Sequence, residues 1–209
     1  GEQVGEEDDR LAGADADDLI HVSSIGGILA TGGNGSISLV AGDGIFIENG
    51  PGAVDIGTSG AGTITMMAGD GVVVGPGAVV TAGGALSIQA NTDGGLDSLE
   101  VGAGARLDSP VSITLESNGG EIVMSPTAVV GVNTPNVFVL AAGDIVLGAV
   151  TASSSITVLS RAGNIRDDGN EFSFLRATNI NLTAAGAVGG DEVITFTPGV
   201  GLNAALPNA

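Results

Sequence analysis

The chain carries short segments in which polar and apolar residues alternate, and these segments recur at near-regular intervals. Their central apolar residues are separated by 27, 24, 25, 24, 19 and 24 residues. Alternation with a period of two is typical of a β-strand with one face buried. The seven segments are centred on Ile37, Ile64, Ile88, Ile113, Val137, Ile156 and Ile180.

Most of the alternating segments are followed by a glycine turn and by two further short apolar runs. In the clearest repeat, Ala41–Gly44 is the turn, Ile45–Ile47 a second strand and Ala53–Val54 a third; the turn and second strand return 27 residues later, at Ala68–Gly71 and Val72–Val74. Repetition at this period indicates a solenoid. The sequence therefore predicts an all-β parallel β-helix, a β-solenoid, of about seven coils of roughly 24 residues with three short strands per coil. Ile, Val and Leu columns would point inwards, and Ser, Thr and Asn columns outwards.

Composition divides the chain into three segments. Residues 1–18 hold eight acidic residues against the single base Arg10, which predicts an acidic leader that is either flexible or a partner-binding arm. Residues 19–197 carry the β-helix pattern, beginning with strand-like Leu19–Val22 and an irregular first coil that ends near Ile28–Leu29. Residues 198–209 are interpreted as a C-terminal tail or arm.

Charge excludes some partners. The chain has 24 acidic and five basic residues, a net charge of −19, no cysteine and only 2% aromatic residues. Such a surface repels phosphate backbones, so we expect no nucleic-acid partner; cations, basic proteins and neutral glycans stay open. No uninterrupted apolar stretch is long enough to predict a transmembrane segment.

Three segments of the sequence resemble the repeats of a known protein family. Leu140–Thr151, Ser155–Arg166 and Thr183–Gly190 are similar to the repeats of filamentous-haemagglutinin-like exoproteins, large secreted bacterial proteins. The resemblance spans about residues 30–190 and implies a right-handed parallel β-helix, an extracellular or bacterial cell-surface location, and an adhesive or structural role. The chain is far shorter than those proteins and lacks a clear match to their secretion domain. We therefore expect either a segment of a giant exoprotein or a small relative.

Acidic corners are the candidate metal sites. Asp43, Asp70 and Asp144 each follow a glycine in the first turn, and Ca²⁺ takes six to eight oxygen ligands. The competing interpretation, which we favour, is that aspartate stabilises the turn through its own backbone. Asp15, Asp17 and Asp18 resemble the opening of an EF-hand loop, but the required glycine and glutamate are missing. All six remain weak candidates for Ca²⁺, and no other cofactor is expected.

An enzymatic interpretation rests on another carboxylate cluster. Arg166, Asp167, Asp168 and Glu171 could supply the acid and base of a polysaccharide-cleaving β-helix. No aromatic platforms or long loops accompany them, and His21, the single histidine, is interpreted as an ordinary edge residue. We therefore predict no catalytic residues; a polysaccharide-binding or polysaccharide-cleaving protein is the alternative.

The ends of a β-helix suggest a partner. Each end exposes unpaired N–H and C=O groups, and a head-to-tail contact between copies would pair them and generate a filament. The sequence thus predicts an extracellular structural or adhesive β-solenoid, with end-to-end self-association or a glycan or host-surface ligand as the partner.

Overall fold

Short parallel strands wind into a β-solenoid in the computed structural model, which describes residues 19–23, 27–31, 33–50, 54–170 and 173–189, and the backbone of 201–205. The predicted acidic leader, residues 1–18, lies outside the described residues. Within them the secondary structure is entirely β. The fold class predicted from the sequence is thus confirmed: three parallel sheets with three strands per turn, in which about six turns of about 24 residues lead from the first strand of each sheet to its seventh.

Each turn of chain contributes one strand to each sheet, and strands are numbered along the chain. Sheet 1 contains β1 (Ile20–Val22), β4 (Ile45–Ile47), β7 (Val72–Val74), β10 (Leu99–Val101), β13 (Ile122–Met124), β16 (Ile145–Leu147) and β19 (Ile165–Asp167). Sheet 2 contains β2 (Ile28–Ala30), β5 (Ile56–Thr58), β8 (Val79–Thr81), β11 (Arg106–Asp108), β14 (Val129–Val130), β17 (Ala149–Thr151) and β20 (Leu175–Arg176). Sheet 3 contains β3 (Ile37–Ala41), β6 (Ile64–Ala68), β9 (Leu86–Ala90), β12 (Ser112–Ser117), β15 (Asn136–Ala141), β18 (Ser155–Ser160), β21 (Asn179–Ala184) and β22 (Gly201–Ala205).

The core is a set of apolar columns, because parallel in-register pairing places equivalent residues on top of one another. In sheet 1, Ile45, Val72, Leu99 and Ile122 form one such column, and each side chain is fully buried. Sheet 3 contributes three inward columns, which begin at Ile37, Leu39 and Ala41. One of its two outward columns is mostly hydroxyl and amide side chains, as expected: Ser38, Thr65, Ser87, Thr114, Phe138, Thr157 and Asn181. The other differs from the expectation and is mixed: Val40, Met67, Gln89, Glu116, Leu140, Leu159 and Thr183.

The third strand of the second turn lies later than the sequence pattern indicates. We expected it at Ala53–Val54, but the strand is β5, which begins at Ile56. The shift has a local cause at Asp55, whose side chain is buried just before the strand. Its Oδ1 accepts a hydrogen bond from Gly50 N (2.6 Å), and its Oδ2 accepts one from Val79 N (2.7 Å). The corner before β5 is therefore closed by a carboxylate, and the strand starts after it.

The segment predicted as a C-terminal tail contains a strand. Residues 201–205 form β22, which pairs in parallel with β21 and gives sheet 3 an eighth strand. The other residues of that segment, 198–200 and 206–209, lie outside the described residues.

Candidate functional site

An acidic column runs along the corner between sheet 3 and sheet 1. Asp43, Asp70 and Asp97 each stand two residues before the first strand residue of β4, β7 and β10. Because those strands pair in register, the three aspartates occupy equivalent positions in consecutive turns. Asp70 N donates to the backbone oxygen of Asp43 (2.9 Å). Asp144, expected in the same column, lies one residue later in its turn, directly before β16, so Asp97 rather than Asp144 is the third member.

Asp144 links two later turns. Its Oδ1 accepts hydrogen bonds from Asn164 N (2.7 Å) and Asn164 Nδ2 (3.1 Å). Its Oδ2 pairs with Arg166 Nη2 (2.7 Å). Both carboxylate oxygens are thus engaged by the neighbouring turn, and not by the backbone of the turn that contains Asp144.

The corner between β9 and β10 is unusually long, and it folds back over the acidic column. Residues 91–98 separate these two strands, whereas three residues suffice between β3 and β4 and between β6 and β7. Asn91 N donates to Asp70 O (2.7 Å), and both Thr92 N and Thr92 Oγ1 donate to Ala68 O (3.0 Å each). These bonds place Asp93 beside Asp70. We name the four carboxylates of Asp43, Asp70, Asp93 and Asp97 the corner cluster.

Like charges accumulate in the corner cluster. Burial raises the pKa of the Asp70 carboxyl above its ordinary value of 3.8, and neighbouring carboxylates raise it further. In decreasing order of effect, those neighbours are Asp97, Asp93 and Asp43.

The basic side chains of the described ranges form their ion pairs elsewhere. Three arginines and the histidine pair with acidic residues outside the corner cluster: Arg106 with Asp108, Arg161 with Glu116, Arg166 with Asp144, and His21 with Glu48. None of these four ion pairs, formed among the described residues, involves the cluster. Nor do these residues hold a group of three or more His, Cys, Asp or Glu side chains arranged to bind a metal.

The carboxylates of the enzymatic interpretation lie at the far end of the described solenoid. Asp168 accepts hydrogen bonds from Asn170 N (2.9 Å) and Ser173 Oγ (2.8 Å), while Arg166 is held by Asp144. Asp167 faces inwards, in register with Leu147. Burial raises the pKa of the Asp167 carboxyl, and a hydrogen bond with Asp168 raises it further. Glu171 lies outside the described residues.

The remaining candidates fall into two groups. His21 lies at the centre of β1, half exposed, with its Nε2 3.0 Å from Glu48 Oε1, consistent with an ordinary edge residue. Asp15, Asp17 and Asp18 lie outside the described residues.

Sequence reasoning missed Asn91, Asp93 and Asp97 as parts of one site. The available signal was the length of the corner between β9 and β10, which departs from the repeat. An insertion in a solenoid forms a loop on one face and often carries the binding residues.

Three parallel sheets of stacked short strands define the protein as a β-solenoid. Comparison of the chain with protein-family models, curated proteins and solved structures finds no match. A search of the described residues for a helix long and apolar enough to cross a membrane finds none.

Proposed function

We propose that the protein is a structural or adhesive, non-enzymatic β-solenoid that works outside the cell, at a bacterial surface or in its surroundings, and stacks end to end. The observation that carries the proposal is the position of the first rung, which is the set of strands β1, β2 and β3. Strands β1, β2 and β3 are each paired on one side to a described strand, so within the described part of the chain all three sheets end at the same face of the solenoid.

Hydrogen-bond direction shows which groups face that end. Ile28 N donates to Asp55 O (2.8 Å), and Ala30 O accepts from Ser59 N (3.1 Å). Residues of a parallel strand alternate in the side to which their backbone groups point. The N–H and C=O of Leu29, between them, therefore point away from β5, towards a strand that could be added at this edge.

Half of the exposed large apolar side chains among the described residues lie within residues 19–47, distributed over the three sheets. Leu19 and Leu29 are each 56% exposed, Val40 is 62% exposed and Phe46 is 41% exposed, while Leu96, Val111, Val132 and Phe174 lie in later turns. Apolar side chains beside an open sheet edge are available for contact with an added strand. A sheet edge flanked by such side chains has the two elements of strand addition: main-chain hydrogen bonds and side-chain contacts.

The occupant we propose is the last rung of a second copy. Its strands run in the same direction along the same three sheets, so stacking would continue the parallel ladders. In sheet 3 that rung is β22, where Leu202 and Ala204 are in register with Ile180 and Leu182 of β21. Through the intervening strands, these positions are in register with Ile37 and Leu39 of β3. A contact between unlike ends does not close on itself and produces a filament.

The extracellular role rests on composition and on the repeat resemblance. A chain with 24 acidic residues, five basic residues and no cysteine suits a secreted rod that must not adhere to anionic surfaces. Its regular outward columns offer an extended surface for display rather than an enclosed reaction centre.

The test is sedimentation velocity and negative-stain electron microscopy of the purified chain and of two variants at Leu29. Leu29→Ala keeps the edge N–H and shortens the side chain, whereas Leu29→Pro removes the N–H that points away from β5. Proline is tolerated on edge strands, so circular dichroism should show both variants folded. We expect filaments for the natural chain and Leu29→Ala, and short rods for Leu29→Pro. Short rods for the natural chain at every concentration, or filaments that persist unchanged in Leu29→Pro, would overturn the proposed stacking.

A further inference from the structure

We propose that the corner between β9 and β10 is a binding site for a hard divalent cation, of which Ca²⁺ is the best fit, with oxygens from Asp70, Asn91 and Asp93 as its protein ligands. The site does not depend on end-to-end stacking. A buried side-chain oxygen that lacks a partner among the described residues indicates it, in addition to the acidic cluster.

Asn91 is fully buried, and its Oδ1 accepts no hydrogen bond from any described residue. Its amide orientation is fixed by its other atom, because Nδ2 donates to the backbone oxygen of Asp97 and to Ser117 Oγ (2.8 Å). A backbone oxygen can only accept, so the nitrogen must face Asp97. A buried acceptor without a donor destabilises the fold, and such an oxygen in a native fold indicates an ion or another group at that place.

The orphaned oxygen faces two carboxylates across a space left by a glycine. A methyl group on Gly95 would lie 3.1 Å from Asp70 Oδ1, 3.2 Å from Asn91 Oδ1 and 3.5 Å from Asp93 Oδ1. Three side-chain oxygens from two turns of the solenoid therefore surround one point beside Gly95. Asp93 is held there because its Oδ1 also accepts from Gly95 N (3.0 Å).

The chemistry of these donors selects the class of ligand. Carboxylate and amide oxygens, without imidazole or thiolate, suit Ca²⁺ or Mg²⁺ rather than a transition metal. Ca²⁺ accepts irregular arrangements of six to eight oxygens, whereas Mg²⁺ requires near-octahedral geometry. Second carboxylate oxygens and water can complete the shell, so we expect a dissociation constant for Ca²⁺ of about 10⁻⁴–10⁻³ M, the range of extracellular modules.

The remaining members of the corner cluster favour the cation through charge. Asp43 and Asp97 lie close enough to raise the pKa of Asp70 together with Asp93. The described basic side chains with ion pairs form them elsewhere on the solenoid. A bound divalent cation would relieve repulsion among four carboxylates and give the Asn91 oxygen a partner.

Isothermal titration of the full, chelator-treated chain with CaCl₂ tests the site, with thermal unfolding followed by circular dichroism as the second readout. Three variants address different elements. Asp70→Asn and Asp93→Asn each remove one charge, and the asparagine at 93 can still accept from Gly95 N. Gly95→Ala fills the space while leaving every ligand in place. Glu121→Gln is the matched control, because Glu121 lies at the same corner of a later turn and is not among the residues that raise the pKa of Asp70.

We expect saturable Ca²⁺ binding and a higher melting temperature with Ca²⁺ for the natural chain and Glu121→Gln. Affinity should fall more than about tenfold in the other three variants, and Mg²⁺ should bind more weakly than Ca²⁺. Three results would overturn the site. They are no saturable heat for the natural chain, an affinity of Asp70→Asn and Asp93→Asn for Ca²⁺ equal to that of the natural chain, or a stabilisation that KCl reproduces at matched ionic strength. A melting temperature that rises on acidification but not with Ca²⁺ would also overturn it and would assign the Asn91 oxygen to a protonated Asp70 carboxyl.

Discussion

Asn91 donates a hydrogen bond from Nδ2 to the hydroxyl of Ser117 in the next turn, 2.8 Å away, and both side chains are fully buried. The same Nδ2 donates to the backbone oxygen of Asp97 at the other end of the long corner. The backbone of Asn91 is left-handed, with φ of 57°, a conformation that asparagine tolerates better than most residues. One side chain therefore closes the long corner and connects it to the next turn.

Replacing Asn91 should separate its side-chain contribution from its backbone contribution. Asn91→Gly removes the donor and keeps the left-handed backbone available, so we expect a loss of about 1–3 kcal/mol in the free energy of unfolding. Asn91→Ala should lose about 1–2 kcal/mol more, because a Cβ disfavours that conformation. Urea unfolding in the presence of chelator measures both without a contribution from Ca²⁺. Equal losses for the two variants would contradict the backbone part of this explanation.

Two neighbouring residues of β15 test the assignment of inward and outward faces. Val137 is fully buried and points into the core, whereas Phe138 is only partly buried and lies between Thr114 and Thr157 on the outer face. Val137→Thr buries a hydroxyl at nearly constant volume and should lose about 1–3 kcal/mol of stability. Phe138→Thr continues the outer polar column and should change stability by less than about 0.5 kcal/mol. Urea unfolding of both variants makes each the control for the other, and equal effects would contradict the face assignment.

The face of each residue in sheet 3 could be predicted from alternation, but the register between turns could not. Equal spacing matches Ile64 with Ile88, whereas the structure pairs Ile64 with Leu86 and Met66 with Ile88. A shift of two residues returns every side chain to the same face, so both alignments satisfy the hydrophobic pattern. The corner lengths decide between them, and those depend on loops such as residues 91–98.

Strands with polar residues were the hardest to recognise. Leu99–Val101 and Arg106–Asp108 form β10 and β11, and Ile165–Asp167 forms β19 in the region that supplies the carboxylates of the enzymatic interpretation. Their exposed charged residues, Glu100, Arg106 and Arg166, occupy outward positions where other turns have valine. Neighbouring strands supply the hydrogen bonds that a three-residue segment cannot provide by itself.

Asp55 should be essential to the corner before β5. Its carboxylate is buried and accepts from Gly50 N and Val79 N, and hydrogen bonds to charged groups contribute about 1.5–3 kcal/mol each. Asp55→Ala leaves both N–H groups without their acceptor, so we expect a loss of about 2–4 kcal/mol, measured by urea unfolding. Asp55→Asn is a second variant, which keeps the size of the side chain and removes its charge. It retains one oxygen but directs an NH₂ group at the other donor, so it should also destabilise the fold, and a neutral result for either variant would contradict the role of the carboxylate.

Asp167 should make the solenoid less stable as the pH rises. Burial and the hydrogen bond with Asp168 raise the folded-state pKa of Asp167 above its ordinary value of 3.8. The folded state therefore holds this proton more tightly than the unfolded state. The resulting stabilisation is fully present below pH 3.8 and is lost as the pH rises through the folded-state pKa.

Asp167→Asn replaces the titrating carboxyl with a neutral amide that can still accept from Gly169 N, which now donates to Asp167 Oδ1 (3.1 Å). It can also donate to Asp168 at every pH. We expect its melting temperature to exceed that of the natural chain by a few degrees at pH 7, and the difference to vanish on acidification. Glu121→Gln, which removes a charge elsewhere, should show no such pH-dependent gain. A constant difference between Asp167→Asn and the natural chain across this pH range would mean that the Asp167 proton is not linked to folding.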